Sequence, residues 1–147
     1  MRIRGFTVIE VLITLALLTA IAGLGMVSTL RPLRSAGISG ERDLVVSLLS
    51  RARSRAMADD GGMSHGFCYS AADGSYYVFK GAYAEAAQEE RGTRSVRVGV
   101  SGVPACGSGE EIIFSELSGT TSSVRIDLSE GDASTSIEVN DAGAVLW

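Results

Sequence analysis

An acidic side chain lies inside the longest apolar run of this chain. Glu10 is the one ionisable residue between Phe6 and Val27. A carboxylate in such a run costs on the order of 2.5–3.5 kcal/mol when the run enters a membrane. The chemistry open to this acid is therefore pairing with a positive charge in an apolar environment. The simpler interpretation is an acid that tilts toward the lipid headgroups and has no function.

The apolar run has the length of a membrane span. Roughly 22 residues make about 33 Å of α-helix, and the hydrocarbon core of a bilayer is about 30 Å thick. Arg2 and Arg4 precede the run, and the positive-inside rule keeps such residues in the cytoplasm. The sequence thus predicts a transmembrane helix over residues 6–30, with the rest of the chain outside the cytoplasm.

The same N-terminus permits a second interpretation. A basic leader, an apolar core and the small residues Ala20 and Ala22 also describe an ordinary secretory signal, which would be cleaved before Gly23. Glu10 counts against this interpretation, because it falls at the start of the apolar core and offsets the positive charge of the leader.

The segment Gly5–Ile13 reads GFTVIEVLI, and it resembles the class III signal of type IV pilins and type II secretion pseudopilins. The resemblance implies that residues 1–5 are a leader, cleaved between Gly5 and Phe6 by a prepilin peptidase, and that Phe6 is then N-methylated. It also implies that Glu10 is the assembly residue, which neutralises the terminal amine of a neighbouring subunit. The partners implied are other pilin or pseudopilin subunits, the peptidase, the inner-membrane assembly platform, and membrane lipid before assembly.

Beyond the apolar run, the pattern becomes that of an amphipathic helix. Apolar residues recur every four positions between Leu44 and Ala56, so one stripe of the helix is expected to face a partner. Asp59–Gly62 carries residues that end helices. The amphipathic half of the helix is therefore predicted over residues 31–60.

From Gly61 onward the apolar period changes to two, as in β-strands. Asp73-Gly74 separates two such runs and predicts a hairpin. The alternating runs up to Trp147, among them Val96–Val100, predict about six or seven short antiparallel strands. The polar residues 81–93 are expected to form a loop, with a short helix as the alternative. The fold class is α+β: a long N-terminal helix packed on a small antiparallel sheet domain over residues 61–147.

The second half of the predicted helix extends the family resemblance. Leu48–Ala56 is similar to the helix segment of the GspH/FimT group of minor pseudopilins and pilins, which follows the helix with a strand bearing a cysteine, here Cys68. The strand Ile113-Phe114, the Gly119 that follows it and a closing hairpin that contains Gly143 fit the same group. The resemblance implies a pilin-like fold and the role of a minor filament subunit, first in the inner membrane and then in a periplasmic or extracellular filament.

Cysteine and histidine limit the chemistry of the exported part. Cys68 and Cys106 are the two cysteines, and an even number in an exported domain favours a disulfide over two separate buried thiols. His65 is the single histidine, expected at the surface. These residues are too few for a convincing metal site, so no enzyme activity, cofactor or metal is predicted.

Two groups of arginines raise the alternative of a DNA-uptake pilin. If they converged, they could contact DNA phosphates. The formal net charge of −4 argues against this, and pairing with surface acids is the favoured interpretation. The first group lies at the end of the helix and the second around the third predicted strand: Arg51, Arg53 and Arg55, then Arg91, Arg94 and Arg97.

Overall fold

The computed structural model describes residues 7–28, 30–84 and 87–147. Within them the chain divides into a unit that ends at Arg34 and a unit that comprises Ser35–Trp147, called here the C-terminal unit. In these residues, two helices precede eight strands. Their bounds are α1 (Val8–Ser28), α2 (Leu30–Met57), β1 (His65–Ser70), β2 (Ser75–Lys80), β3 (Gln88–Thr93), β4 (Gly99–Ser101), β5 (Ile112–Phe114), β6 (Val124–Glu130), β7 (Ala133–Val139) and β8 (Val145–Leu146).

Helix α1 carries apolar side chains around its circumference. Every side chain from Thr7 to Ala22 is exposed. The hydroxyls of Thr14 and Thr19 donate to carbonyl oxygens of their own helix, each at 2.9 Å, so these polar groups need no outside partner. Across the part of the chain that the structure describes, no helix qualifies as a membrane span by length and apolar content. The transmembrane half over residues 6–30 is not confirmed and stays a prediction.

Helix α2 buries the predicted stripe. Val45, Leu49 and Ala52 are fully buried, and Leu48 is 3% exposed. After the helix, Asp59 and the two glycines that follow Asp60 adopt positive φ angles, which reverse the chain toward β1. Helix α2 ends at Met57, and its buried side chains from Val45 onward lie on the predicted stripe.

The first sheet has the strand order β3-β2-β1-β5 and is antiparallel throughout. Strands β1 and β2 form the predicted hairpin around Asp73-Gly74, with Ser70 opposite Ser75. Because side chains alternate along a strand, Phe67 and Val78 enter the core that contains the stripe of α2, whereas Cys68 enters a smaller cluster on the other face.

The second sheet has the order β4-β6-β7-β8 and is also antiparallel. Its buried side chains belong to the same core as the stripe of α2. The predicted α+β class with antiparallel strands is thus correct, but the strands form two four-stranded sheets where one was expected. The buried side chains of this second sheet are Ile126, Leu128, Ile137 and Val139.

Two local predictions were wrong. Residues 88–93, expected to lie in a loop, form β3 because their backbone pairs with β2; the close approach of helix α2 suits Gly92, where an added Cβ would lie 2.8 Å from Leu48 Cδ1. The strand expected over Val96–Val100 starts only at Gly99. Val96 is 94% exposed and lies in a turn.

Candidate functional site

The processing residues Gly5 and Phe6 lie outside the described residues, so cleavage and methylation stay predictions. Glu10 lies in the first turn of α1 with its side chain exposed. Its amide donates to the carbonyl of Thr7 at 3.1 Å. An acid in this position also interacts favourably with the positive end of the helix dipole. A test of the assembly role must therefore separate charge pairing from stabilisation of the helix end.

The apolar surface of α1 is the most extensive feature around Glu10. Ile9 is 66% exposed and Leu18 63%, and both lie in a run with a single acid. Exposed apolar surface on this scale is unstable in water and marks a site of contact with lipid or with other apolar helices. Burying the charged carboxylate of Glu10 in such a setting costs far less where a cation pairs with it.

Cys68 and Cys106 form a disulfide, which is the predicted pairing. Backbone hydrogen bonds bring the two cysteines together: the amide of Tyr69 donates to the carbonyl of Pro104, and the amide of Cys106 donates to the carbonyl of Tyr69, both at 3.0 Å. Cys68 is fully buried beside Phe79. The bond joins β1 to the segment that follows β4, and the loop that it closes contains β2, β3 and β4.

The helix arginines contact groups of their own chain. Arg51 forms an ion pair with Glu90. Arg55 lies 3.1 Å from Glu89 and 3.5 Å from Glu90. Arg53 donates to the carbonyl of Ala142 at 3.0 Å. These arginines therefore contact the acids of β3 and the closing turn, which is the turn between β7 and β8. The favoured interpretation expected such pairing with surface acids.

Two arginines of the second group also contact side chains of their own chain. Arg91 donates to Ser75 Oγ at 3.0 Å and lies over the ring of Tyr77, and Arg94 lies over the ring of Tyr69. Arg97 is exposed in the turn before β4. The described contacts do not join the two groups into one basic surface, and they give no support to a DNA site.

A buried polar network that the sequence did not reveal joins α2 to β2. Glu41 is 4% exposed. Its carboxylate accepts from the Tyr76 hydroxyl at 2.7 Å and from the amide of Ser95 at 2.9 Å. Burial, and then the hydrogen bond to Glu41, raise the pKa of Tyr76 far above its ordinary value. The phenol therefore stays neutral and serves as a structural donor.

His65 was expected at the surface, and this prediction was wrong. The residue is fully buried, because β1 lies between β2 and β5 and places His65 opposite Lys80 and Phe114. Among the described residues, neither ring nitrogen has a hydrogen-bond partner. Asp60 and Glu89 bring carboxylate oxygens close to the ring. Long-range pairing of strands produces this cluster, so no local pattern could have indicated it.

Comparison with known proteins finds a likeness in structure but none in sequence. No family model matches the chain, and no curated protein matches it at a significant level. Among solved structures, the chain is similar to the minor pseudopilin EpsH from the type 2 secretion system of Vibrio cholerae. The two share 11% sequence identity with a TM-score of 0.48, over 76% of this chain and 91% of that one.

Proposed function

We propose that this chain is a minor structural subunit of a type IV pilus or type II secretion pseudopilus, processed after Gly5 and assembled through its N-terminal helix. The observation that carries the proposal is α1, where exposed apolar side chains surround a single acid in the first turn. Such a surface needs lipid or other apolar helices to cover it. The sequence Gly5–Ile13, which resembles a prepilin peptidase site, supports the same function.

Assembly follows from the energetics of the acid. Cleavage between Gly5 and Phe6 creates a new, positively charged amine a few residues before Glu10. When α1 leaves lipid for a bundle of like helices, Glu10 pairs with the amine of a neighbouring subunit. A paired charge in an apolar environment is far less costly than an isolated one. Only one axial register brings the amine and the carboxylate together, so the pair sets the position of each added subunit.

The C-terminal unit supplies the surface of the filament in this proposal. Its core is built from α2 and two sheets, and Arg51, Arg55 and Arg94 pair with acids or an aromatic ring of the same chain. Before assembly, residues 6–30 anchor the subunit in the inner membrane with this unit outside the cytoplasm. After assembly, the unit lies on a periplasmic or extracellular filament.

Replacing Glu10 by alanine tests the assembly role. We expect Glu10→Ala to insert in the membrane and to be cleaved normally, but its amount in sheared filaments, measured by immunoblot against the membrane fraction, falls at least tenfold. Glu10→Gln keeps the size of the side chain and removes its charge, so charge pairing predicts the same loss. Because glutamine also removes the interaction with the helix dipole, Thr7→Asp/Glu10→Gln is the control that returns a carboxylate to the helix end. A role confined to the helix end predicts recovery in this double variant, whereas charge pairing predicts none. Normal incorporation of Glu10→Ala would contradict the proposal.

A further inference from the structure

We propose that Asp60, His65 and Glu89 bind a divalent transition-metal ion, with Zn²⁺ as the best match. One ligand atom from each residue lies within 4.8 Å of the other two. The site belongs to the C-terminal unit and is independent of the assembly role of α1. It contradicts the sequence-based expectation of no metal, which counted ligands without knowing which of them the fold brings together.

The buried imidazole is the observation that points to a ligand. His65 is fully buried, and neither ring nitrogen has a hydrogen-bond partner among the described residues. Buried polar groups are nearly always satisfied, and one that is not needs an explanation. The Nε2 atom lies 3.3 Å from Glu89 Oε2 but outside hydrogen-bonding geometry. A cation between these two atoms would give Nε2 the partner that it lacks.

Three elements of the fold place the ligands. Asp60 lies in the turn after α2, where Gly61 and Gly62 adopt positive φ angles and return the chain to β1. His65 is the first residue of β1. Glu89 lies at an irregularity in β3: Gln88 pairs with Phe79 and Glu90 with Val78, so Glu89 is the extra residue. Such bulges redirect side chains and are frequent beside functional sites.

The distances and donor atoms fit zinc. With Zn²⁺ ligand bonds of about 2.0–2.1 Å, tetrahedral ligand atoms lie about 3.3–3.4 Å apart, and the separation of His65 Nε2 and Glu89 Oε2 is 3.3 Å. Asp60 is exposed, so its side chain can rotate until a carboxylate oxygen lies within bonding distance of the ion. Water would complete the coordination. Imidazole favours zinc and related ions over calcium and magnesium, which prefer sites made of oxygen alone.

Two cations of the chain compete with the metal. Arg55 Nη1 lies 3.1 Å from Glu89 Oε2, the oxygen that faces His65, and the ammonium of Lys80 packs against Gly61. Arg55 also lies 3.5 Å from Glu90, so it can turn to that acid when the metal takes Glu89. Competition from Arg55 thus lowers the affinity of the site for Zn²⁺, and removing the charge of Arg55 should strengthen metal binding.

Calorimetric titration of Zn²⁺ into the full chain, purified in detergent without a polyhistidine tag, tests the site. We expect one ion per chain, with the Kd raised at least tenfold in Asp60→Asn and lowered severalfold in Arg55→Gln. Asp59→Asn is the matched control: it changes the adjacent exposed aspartate and should leave the Kd within about twofold of wild type. Because Asp60 is exposed, circular dichroism should show that its variant is folded.

The single histidine makes a second readout specific. In a chain labelled with ¹⁵N in the imidazole ring, Zn²⁺ should shift the resonance of one ring nitrogen of His65, and this shift should be weakened in Asp60→Asn. Three outcomes would overturn the proposal: no saturable binding up to millimolar Zn²⁺, equal affinity in wild type and Asp60→Asn, or ring resonances that do not respond to the metal.

Discussion

Removing the Cys68–Cys106 disulfide is expected to lower the melting temperature of the C-terminal unit by about 10–20 °C. The cysteines are 38 positions apart, and cross-linking a loop of that length stabilises by about 4 kcal/mol in the loop-entropy model. A domain of this size has a total stability of about 5–15 kcal/mol. Loss of the bond therefore removes a large share of the free energy of unfolding.

The double variant Cys68→Ala/Cys106→Ala makes this measurement, since alanine places no hydroxyl in the buried position of Cys68. Near-ultraviolet circular dichroism reports the unfolding, because all four tyrosines lie in the C-terminal unit. Wild type in a reductant should melt as the double variant does, and the variant should not respond to the reductant. A wild-type melting temperature that is unchanged by reduction would contradict the expected contribution.

Gly143→Ala should destabilise the C-terminal unit by about 3–4 kcal/mol, for two reasons that add. Gly143 has a φ of +74°, in the left-handed region that disfavours residues with a Cβ atom, and the added Cβ would lie 1.9 Å from the carbonyl oxygen of Gly119. A backbone oxygen cannot move away as a flexible side chain can. The closing turn contains Gly143 and also Ala142, whose carbonyl accepts from Arg53. This turn would have to separate from the loop that contains Gly119.

Gly109→Ala is the matched control for this substitution. Gly109 has a φ of +79° with nothing within 4 Å of an added Cβ, so its replacement introduces the backbone strain without the overlap. We expect it to cost about 1–2 kcal/mol. Chemical denaturation of the two variants measures the difference, and equal losses would show that the contact between Gly143 and Gly119 does not constrain the fold.

Local patterns predicted the elements that depend on neighbouring residues. The four-residue period of α2 follows from helix geometry, so the buried positions Val45, Leu49 and Ala52 agree with the predicted stripe. Asp73-Gly74 was recognisable because its turn chemistry is specific to hairpins. The disulfide could be predicted from the even number of cysteines and their place in an exported domain. It did not require knowledge of the strands that bring the two residues together.

Features that depend on distant residues were not predictable. Strand β3 has no apolar alternation, and it is a strand because β2 offers its backbone a partner. The burial of His65 requires strands on both sides of β1. The cluster of Asp60, His65 and Glu89 depends on a turn, a strand end and a bulge together. The division into two sheets also depends on distant residues. The alternating pattern of a strand does not indicate which sheet the strand joins.

The arginines show how a one-dimensional pattern misleads about charge. Arg51, Arg53 and Arg55 suggest a basic group when read along the chain, but β3 brings Glu89 and Glu90 against this end of the helix. The acids were visible in the sequence, whereas their position opposite the arginines was not. Local positive charge in this region is therefore largely neutralised within the chain.

The central claim, that this chain is a processed filament subunit, is tested most directly by mass spectrometry of the mature N-terminus. Recovered from its native membrane, the chain should begin at Phe6, with one added methyl group on the terminal amine. This result would also place the new positive charge beside Glu10, where the assembly step needs it. A mature chain that begins near Gly23, or one that retains Met1–Gly5, would contradict the account.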